Sequence, residues 1–512
     1  MDMTLGYSVV RNARKYPHKT AIICEQTRRT YRELNERSNR LARALLGLGL
    51  AKGDRIAILS LNSIEVMEAY IAQLKVGAIM VPLGAWGTDQ EIQFQADFTG
   101  CKFLVFHQDF LSRVERIRPA LPQVQNWVFI GTPRPSFARP YEDLMAQNAP
   151  DNFPIAVQEE DEAFILFTGG TTGVPKGAVL THKSLLWNII SVTTENQSPT
   201  PEDVVYYPMP LFHTAALSRF LAYMYAGGIF IVTREFDARK CLEIIEREGV
   251  TAMTGNPTIW GMLLKEMEKK HHDTHSMRMY LSSQGFLHPY MQQAIETRLF
   301  PNAKTYVSYA LTEASPGVTI LKPWDRPQET GSVGRPYMCT EVRIVDEEDR
   351  NLPAGEVGEI IIKGPTVMKE YYKNPEETAQ TLRGGWLHTG DLGKYDSDGF
   401  LYFVDRKKDM IKSGGLNIYS KEVEEVLARH PRIAEAVVVG VPDDKWGETV
   451  KAVVVVKEGE TLSEGEVIDH CRQYLASYKK PTSVAFLETL PKTRTGNKVL
   501  KRELRERFST KT

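Results

Sequence analysis

The order of hydrophobic and polar residues in the first part of the chain predicts helices that alternate with short buried strands. Residues 30–50 (TYRELNERSNRLARALLGLGL) carry four leucines at the spacing of one helical face: Leu34, Leu41, Leu45 and Leu46. The following residues 54–60 (DRIAILS) predict a strand, and the same order returns at 63–83 and 239–257. Strands separated by helices usually pair in parallel, so we expect an α/β fold with largely parallel sheets.

The pattern changes after residue 330. Residues 340–364 contain two β-branched runs separated by turn residues, which predicts an antiparallel hairpin region. Farther on, the sequence predicts a helix capped by Ser420, strands at 434–441 and 451–458, and a helix from residue 464. We therefore expect a large N-terminal domain over residues 1–406 and a small α+β domain over residues 407–512.

Composition narrows the classes of function. The 512 residues include 63 Lys and Arg against 64 Asp and Glu, a net charge of −1, so no broad basic surface for nucleic acid is expected. The first residues soon become polar, and no run reaches the roughly 18 apolar residues of a membrane span. Five scattered cysteines suggest reduced thiols. We expect a cytoplasmic protein without a signal peptide.

A glycine-rich stretch at residues 167–177 (FTGGTTGVPKG) follows a predicted strand and precedes a predicted helix. Glycine amides and threonine hydroxyls can surround a polyphosphate, and Lys176 would add a positive charge. The stretch departs from the Walker pattern because Lys176 is followed by Gly177 rather than by Ser or Thr. By composition alone, an ordinary glycine-rich turn remains an alternative to a phosphate loop.

This stretch resembles the signature [YF]-T-S-G-T-T-G-x-P-K-G of the adenylate-forming superfamily, differing only at Gly169. That superfamily includes acyl-CoA synthetases, luciferases and peptide-synthetase adenylation domains. The Thr-Gly-Gly-Thr-Thr-Gly variant is similar to that of bacterial long-chain fatty acyl-CoA ligases. The resemblance implies a large domain of sheets flanked by helices, a small mobile C-terminal α+β domain, and an active site between them.

Further motifs that resemble the family follow in its order. In residues 309–313 (YALTE), Tyr309 is expected against adenine, and Glu313 with Thr168 is expected to hold Mg²⁺. In residues 384–415, Asp391 is expected to accept hydrogen bonds from the ribose hydroxyls, and Arg406 to bind the ribose or phosphate region. The resemblance thus assigns most of an ATP site. Its full ATP-binding set is Thr168, Gly169, Gly170, Thr171, Thr172, Gly173, Lys176, Gly285, Phe286, Tyr309, Ala310, Thr312, Asp391 and Arg406.

The remaining implied residues concern catalysis and CoA. Lys408 occupies the hinge position about which the small domain turns. Gly414 and Gly415 would let the pantetheine arm of CoA pass close to the backbone. Lys498, in residues 490–505 (LPKTRTGNKVLKRELR), matches the catalytic lysine, although Asn497 stands where the family usually has glycine. His213 matches the aromatic or histidine position that lines the carboxylate entrance.

Two segments depart from the family pattern. Gly285 and Phe286 replace an Ala-Pro pair in the adenine-cradling segment, so contacts with adenine there would use the backbone. Ala310 replaces a glycine, which we expect to narrow the acyl pocket. Together with Trp260, Phe286 and Ala310 can also shape a shorter, flatter pocket.

The function that these motifs imply is an AMP-forming acyl-CoA ligase, which converts a carboxylic acid, ATP and CoA to a thioester through an acyl-AMP intermediate. A medium- or long-chain fatty acid is the first expectation, and an aromatic or alicyclic acid is the alternative. A carrier protein in place of CoA, and a homodimer, are left open. Two alternatives come from other functional classes. An ATP-hydrolysing switch would produce ADP, and a non-catalytic nucleotide- or lipid-binding module would not convert any substrate.

Overall fold

The computed structural model describes residues 4–168, 175–196, 198–492 and 499–509. Its α-helices are α1 (Leu5–Lys15), α2 (Tyr31–Gly47), α3 (Ile64–Val76), α4 (Asp89–Thr99), α5 (Leu111–Ile117), α6 (Tyr141–Ala146), α7 (His182–Glu195), α8 (Thr214–Ala226), α9 (Ala238–Glu248), α10 (Pro257–Lys269), α11 (Pro289–Ala294), α12 (Pro375–Thr381), α13 (Ser420–Leu427), α14 (Glu464–Tyr474) and α15 (Lys501–Ser509). Within the described residues, no helix combines the length and the apolar character that crossing a bilayer requires.

The strands alternate with these helices over much of the chain. They are β1 (Thr20–Cys24), β2 (Thr27–Thr30), β3 (Arg55–Leu59), β4 (Ile79–Pro82), β5 (Phe103–His107), β6 (Asn126–Ile130), β7 (Arg139–Pro140), β8 (Glu162–Thr168), β9 (Lys176–Thr181), β10 (Val204–Tyr206), β11 (Ile229–Val232), β12 (Ala252–Gly255), β13 (Met279–Ser282), β14 (Lys304–Ala310), β15 (Gly317–Leu321), β16 (Ser332–Pro336), β17 (Glu341–Val345), β18 (Gly358–Lys363), β19 (Glu370–Tyr371), β20 (Leu387–Tyr395), β21 (Leu401–Arg406), β22 (Ile411–Ser413), β23 (Leu416–Ile418), β24 (Ile433–Asp443), β25 (Gly447–Val456) and β26 (Ser483–Phe486).

Contacts divide the chain into two compact units. The first comprises Met1–Val342 and Ile362–His388, and the second comprises Arg343–Ile361 and Thr389–Thr512. The boundary predicted at residues 406–408 falls inside the second unit and stays a prediction. The expected α/β architecture, with a large N-terminal region of sheets and a small C-terminal region, is confirmed.

Two sheets form the first unit. One has the strand order β16-β15-β14-β13-β12-β10-β11-β1-β2, and the other has the order β19-β9-β8-β4-β3-β5-β6-β7. The neighbours from β14 to β1, and from β8 to β7, pair in parallel. This confirms the expectation of largely parallel sheets with helical connections.

The helix α2 illustrates why these segments fold as predicted. Thr30 and Glu33 form a reciprocal capping box at its start, and Leu34, Leu41 and Leu45 are buried. The prediction was wrong for Leu46, which is 43% exposed. An α-helix turns by about 100° per residue, so Leu46 points well away from the face that carries Leu45.

The second unit contains most of the neighbouring strands β17, β18, β20 and β21, and also a sheet of order β23-β22-β25-β24 with β26 beside β25. Valines of β24 and β25 form much of its core, covered by α13, α14 and α15. Ser420 does not cap α13 as predicted. The cap position is Tyr419, whose side chain makes no capping bond, and Ser420 is the first helical residue.

Candidate active site

Two residues predicted for phosphate and metal binding meet at the end of β8. The Thr168 hydroxyl donates to Glu313 Oε1 at 3.3 Å. Glu313 lies on a short 3₁₀ turn that directly follows β14, so its carboxylate belongs to one sheet and Thr168 to the other. A hydroxyl and a carboxylate held this close provide the oxygen ligands that Mg²⁺ prefers.

Tyr371 completes this group, although the sequence did not point to it. Its hydroxyl donates to Glu313 Oε1 at 2.8 Å. Burial and the nearby Glu313 carboxylate raise the pKa of the Tyr371 hydroxyl well above its usual range, so the phenol stays protonated and remains a donor. We call Thr168, Glu313 and Tyr371 the Glu313 cluster.

Lys176 lies beside this cluster and is already paired. Its ammonium group forms an ion pair with Glu377 of α12 and lies 5.3 Å from the centre of the Tyr371 ring. In the ladder between β8 and β9, Lys176 is the direct partner of Thr168. The phosphate role predicted for Lys176 therefore requires that a phosphate compete with, or join, the Glu377 carboxylate.

Residues 169–174, which connect these two strands, lie outside the described residues. The predictions for Gly169, Gly170, Thr171, Thr172 and Gly173 therefore stay predictions. Lys498 also lies outside the described residues, within 493–498.

The residue after the predicted carboxylate-entrance residue contacts Thr312, which precedes Glu313 in the chain. His213 precedes α8, and the adjacent Thr214 hydroxyl donates to the Thr312 hydroxyl at 2.8 Å. The His213 ring packs against Phe212, with 4.6 Å between centroids, and lies 6.5 Å from the ring of Trp86. These three rings form an aromatic collar, defined as Trp86, Phe212 and His213.

The predicted adenine residues lie at the carboxyl ends of two neighbouring parallel strands. Gly285 and Phe286 follow β13, and Tyr309 and Ala310 end β14, which pairs with β13. Ligands of open α/β sheets commonly bind at this edge. Tyr309 is largely buried, whereas Gly285 and Ala310 are exposed.

Trp260 lies behind the same strand ends. It is fully buried, its indole N–H donates to Ser282 Oγ at 3.2 Å, and its ring packs edge-on against Tyr280. A side chain at Gly255, the last residue of β12, would approach the Trp260 ring to 2.7 Å. Trp260 is thus a fixed part of the core rather than an adaptable surface side chain.

In the second unit, Asp391 and Arg406 lie close together, and their predicted contacts with ribose and phosphate stay predictions. They face each other on the antiparallel strands β20 and β21, with Arg406 Nε 3.5 Å from Asp391 Oδ1. The Asp391 carboxylate is nearly buried, so the pair is shielded from bulk solvent more than a surface ion pair is. Lys408, the predicted hinge residue, lies two residues after Arg406 and is exposed.

Gly414 and Gly415 form the two-residue turn between β22 and β23. Their φ angles are 57° and 82°, the left-handed values that a tight hairpin of this kind requires. A side chain at Gly414 would also approach the Trp446 ring to 2.7 Å. Local geometry alone therefore explains these glycines, and their predicted contact with CoA stays a prediction.

The sequence was compared with protein-family models and with known proteins. Residues 9–372 match the family described as AMP-binding enzyme, and residues 422–497 match the AMP-binding enzyme C-terminal domain. A feruloyl-CoA synthase from an Amycolatopsis species is 37% identical, over 98% of this chain and 99% of that protein. The long-chain-fatty-acid–CoA ligase FadD13 of Mycobacterium tuberculosis is 33% identical, over 99% and 98%.

Two solved structures have a fold similar to that of this chain. The ATP-bound MatB of Rhodopseudomonas palustris matches with a TM-score of 0.90 and 30% identity over 99% of both chains. The anthranilate CoA ligase AuaEII, solved in complex with anthranoyl-AMP, matches with a TM-score of 0.91 and 27% identity over 99% of this chain and 98% of that one.

Proposed function

The chain belongs to the AMP-binding enzyme family and is an AMP-forming acyl-CoA ligase, and we propose that the acid it activates is a medium- or long-chain fatty acid. ATP and CoA are its co-substrates. The observation that carries the proposed chemistry is the Glu313 cluster, in which a carboxylate is fixed by two hydroxyl donors beside the glycine-rich stretch. Neither an ATP-hydrolysing switch nor a non-catalytic module fits this family.

Two displacement steps give the product. A carboxylate oxygen of the acid attacks the α-phosphorus of ATP, and the bond to the β-phosphate breaks, so acyl-AMP forms and pyrophosphate leaves. The CoA sulfur, having lost its proton, then attacks the acyl carbon, and AMP leaves with the bonding electrons. Neither step needs a nucleophile from the protein, so catalysis rests on positioning and charge stabilisation. Lys498 is proposed to stabilise the charge at the carboxylate–phosphate junction in the first step.

The Glu313 cluster fits Mg²⁺ carried by the nucleotide. Glu313 and Thr168 would hold the ion, which would neutralise charge on the phosphate oxygens. Within the described residues, no group of three His, Cys, Asp or Glu side chains is arranged to hold a metal on its own. A site with one carboxylate and one hydroxyl suits an ion whose other ligands are phosphate and water. Tyr371 keeps the Glu313 carboxylate in place.

Residues of the second unit are proposed to act on the sugar and in the second step. Asp391 would accept hydrogen bonds from the ribose hydroxyls, and Arg406 would neutralise charge on the adjoining phosphate. The segment after Lys408 would rotate between steps, so that Lys498 serves adenylation and the turn at Gly414 and Gly415 serves the thiol. Such a rotation lets two sets of groups use one reaction centre in turn.

The proposed fatty acid is supported by the glycine-rich stretch and by the likeness to long-chain-fatty-acid–CoA ligases of about the same length. An aromatic acid is the second candidate, and two observations favour it. The feruloyl-CoA synthase is more similar in sequence, and the anthranilate ligase has a very similar fold. The aromatic collar suits either acid, since aromatic rings pack against alkyl chains and planar rings alike.

We also propose that the enzyme acts in the cytoplasm, and that it forms a homodimer. Light scattering of the purified protein tests the second point directly. A mass near 57.9 kDa, that of one chain, would contradict the dimer.

A carboxylate panel tests the substrate. ATP–pyrophosphate exchange is measured without CoA for straight-chain acids of increasing length, hydroxycinnamates, anthranilate, benzoate and cyclohexane carboxylate. Exchange that rises with chain length, followed by AMP and thioester when CoA is added, is the expected result. Selective exchange with hydroxycinnamates or benzoates would replace the fatty acid by the second candidate. ADP without exchange would contradict the chemistry itself.

A further inference from the structure

Two buried polar side chains are joined across the predicted hinge, within the second unit. Asp405 lies on β21, three residues before Lys408, and Ser420 begins α13, twelve residues after it. The Ser420 hydroxyl donates to Asp405 Oδ2 at 2.8 Å. Ser420 is 0% exposed and Asp405 is 4% exposed. This hydrogen bond is therefore made to a buried carboxylate, which makes it stronger than a bond between neutral surface groups.

The start of α13 depends on this carboxylate. The first backbone N–H groups of a helix have no partner within the helix, and Tyr419 supplies no capping side chain. Asp405 Oδ2 also accepts the backbone N–H of Lys421, at 3.4 Å. A negative charge at a helix N-terminus is favourable. A residue before the hinge thus supplies the acceptor that the helix after the hinge lacks.

Ser420 also connects to the helix that follows the predicted catalytic lysine. Lys501, the first residue of α15, donates to Ser420 Oγ at 2.6 Å and pairs with Glu424 at 2.7 Å. Lys498 precedes Lys501 by three residues in the sequence. Ser420 therefore contacts the helix that follows the predicted catalytic lysine.

We propose that Asp405, Ser420 and Lys501 are positioning residues that form a latch across the hinge and set the balance between the two half-reactions. The proposal rests on the rotation about Lys408 given under the proposed function. Such a rotation separates Asp405 from Ser420, because these residues lie on opposite sides of the pivot. It leaves Ser420 and Lys501 together, because both follow the pivot. The latch favours the orientation in which it is closed, and breaking it shifts the population towards the other.

Another contact of α15 provides a matched control. Arg505 lies one turn after Lys501 and pairs with Asp409 at 2.9 Å. Both residues follow Lys408, so this pair moves as one body in the rotation. Its loss can loosen α15, but it has no reason to favour one orientation over the other.

The test measures both half-reactions separately in Ser420→Ala. Adenylation is followed by ATP–pyrophosphate exchange, and thioester formation is followed from supplied acyl-AMP and CoA. We expect the ratio of the two rates to differ from the wild-type ratio by about tenfold or more, because one hydrogen bond to a charged group is lost in one orientation. Lys501→Arg keeps the donor and the charge and should keep the ratio. Arg505→Gln should change both rates by the same factor.

Equal effects of Ser420→Ala on both half-reactions, in a protein that unfolds at the wild-type temperature, would overturn the latch. If Ser420→Ala does not fold, Asp405→Asn decides by the same ratio, because Asp405 is the residue before the pivot that accepts the Ser420 hydroxyl. Lys498→Ala is assayed alongside. Unequal loss in Lys498→Ala with an unchanged ratio in Ser420→Ala rejects the latch alone, and equal loss in Lys498→Ala rejects the rotation and the latch together.

Discussion

The Glu313 cluster of the first unit and the Ser420 latch of the second use the same kinds of contact for different purposes. In the cluster, Thr168 and Tyr371 approach Glu313 from strands that are built into the sheets of one unit. In the latch, Asp405 and Ser420 lie on the two sides of a proposed pivot. A hydrogen bond between parts that move together fixes a group in place, whereas one between parts that separate selects an orientation.

The largest effect is expected at the centre of the cluster. Glu313→Gln removes the negative charge that two hydroxyls hold in position, and we expect adenylation to fall by about 10²–10³-fold. Thioester formation from supplied acyl-AMP should change far less, because no pyrophosphate is formed in that step. Both rates are measured as for the latch.

Glu377→Gln is the control for this substitution. It removes a carboxylate that is also near the phosphate stretch but pairs with Lys176. Its effect on adenylation should stay below about tenfold, since ion pairs of partly exposed side chains contribute little. Similar losses of adenylation rate in Glu313→Gln and Glu377→Gln would contradict the metal-holding role proposed for Glu313.

The stability of the first unit should also fall at acid pH because of one buried histidine. His182 begins α7 and is fully buried, and neither ring nitrogen has a hydrogen-bond partner among the described residues. Burial lowers the pKa of His182 to about 4, below the ordinary value of 6.5. The unfolded chain therefore binds more protons between these values. The free energy of unfolding should fall by about 3 kcal/mol as the pH drops from 7 to 4 through this residue.

Denaturant unfolding of the wild type and of His182→Gln, at a series of pH values, measures this contribution. The variant should lose stability less steeply than the wild type between pH 6.5 and 4. Parallel curves for the two proteins would show that His182 does not titrate as expected.

A smaller effect is expected at the edge of the cluster. Tyr371→Phe removes one donor to Glu313 but keeps the ring beside Lys176, so adenylation should fall by about tenfold or less. The MgCl₂ concentration for half-maximal rate should rise. Because the pKa of Tyr371 is raised, the wild type should lose no activity through its ionisation below pH 10.

Tyr372→Phe is the matched control for this position. The Tyr372 hydroxyl donates to the Thr99 carbonyl at 3.3 Å, whereas the Tyr371 hydroxyl donates to Glu313, so the MgCl₂ requirement of Tyr372→Phe should stay at the wild-type value. An equal shift in both variants would mean that the segment is merely loosened.

The sequence predicted the parts of the fold that depend on local pattern. The buried face of α2 and the alternation of helices with parallel strands follow from periodicity, since each segment must bury one side. The error at Leu46 comes from extending that face by one position. The cap assigned to Ser420 also failed, because the acceptor for α13 comes from Asp405, on a different strand.

The site was predictable only as far as the motifs reach. Thr168 and Glu313 could be named because each lies in a recognisable motif, and the structure brings them together. Tyr371 and Glu377 were missed because their partners lie 58 and 201 residues away. A helix start at Asn374-Pro375 was the signal available there, and it predicts a turn without indicating what the adjacent side chains contact.

The most direct test of the account compares both half-reactions in Lys498→Ala. Lys498 is proposed to act in adenylation alone, with the segment after Lys408 rotating before the thiol attacks. We therefore expect that ATP–pyrophosphate exchange is lost while thioester formation from supplied acyl-AMP stays near the wild-type rate. Equal loss of both half-reactions in a folded protein would contradict it.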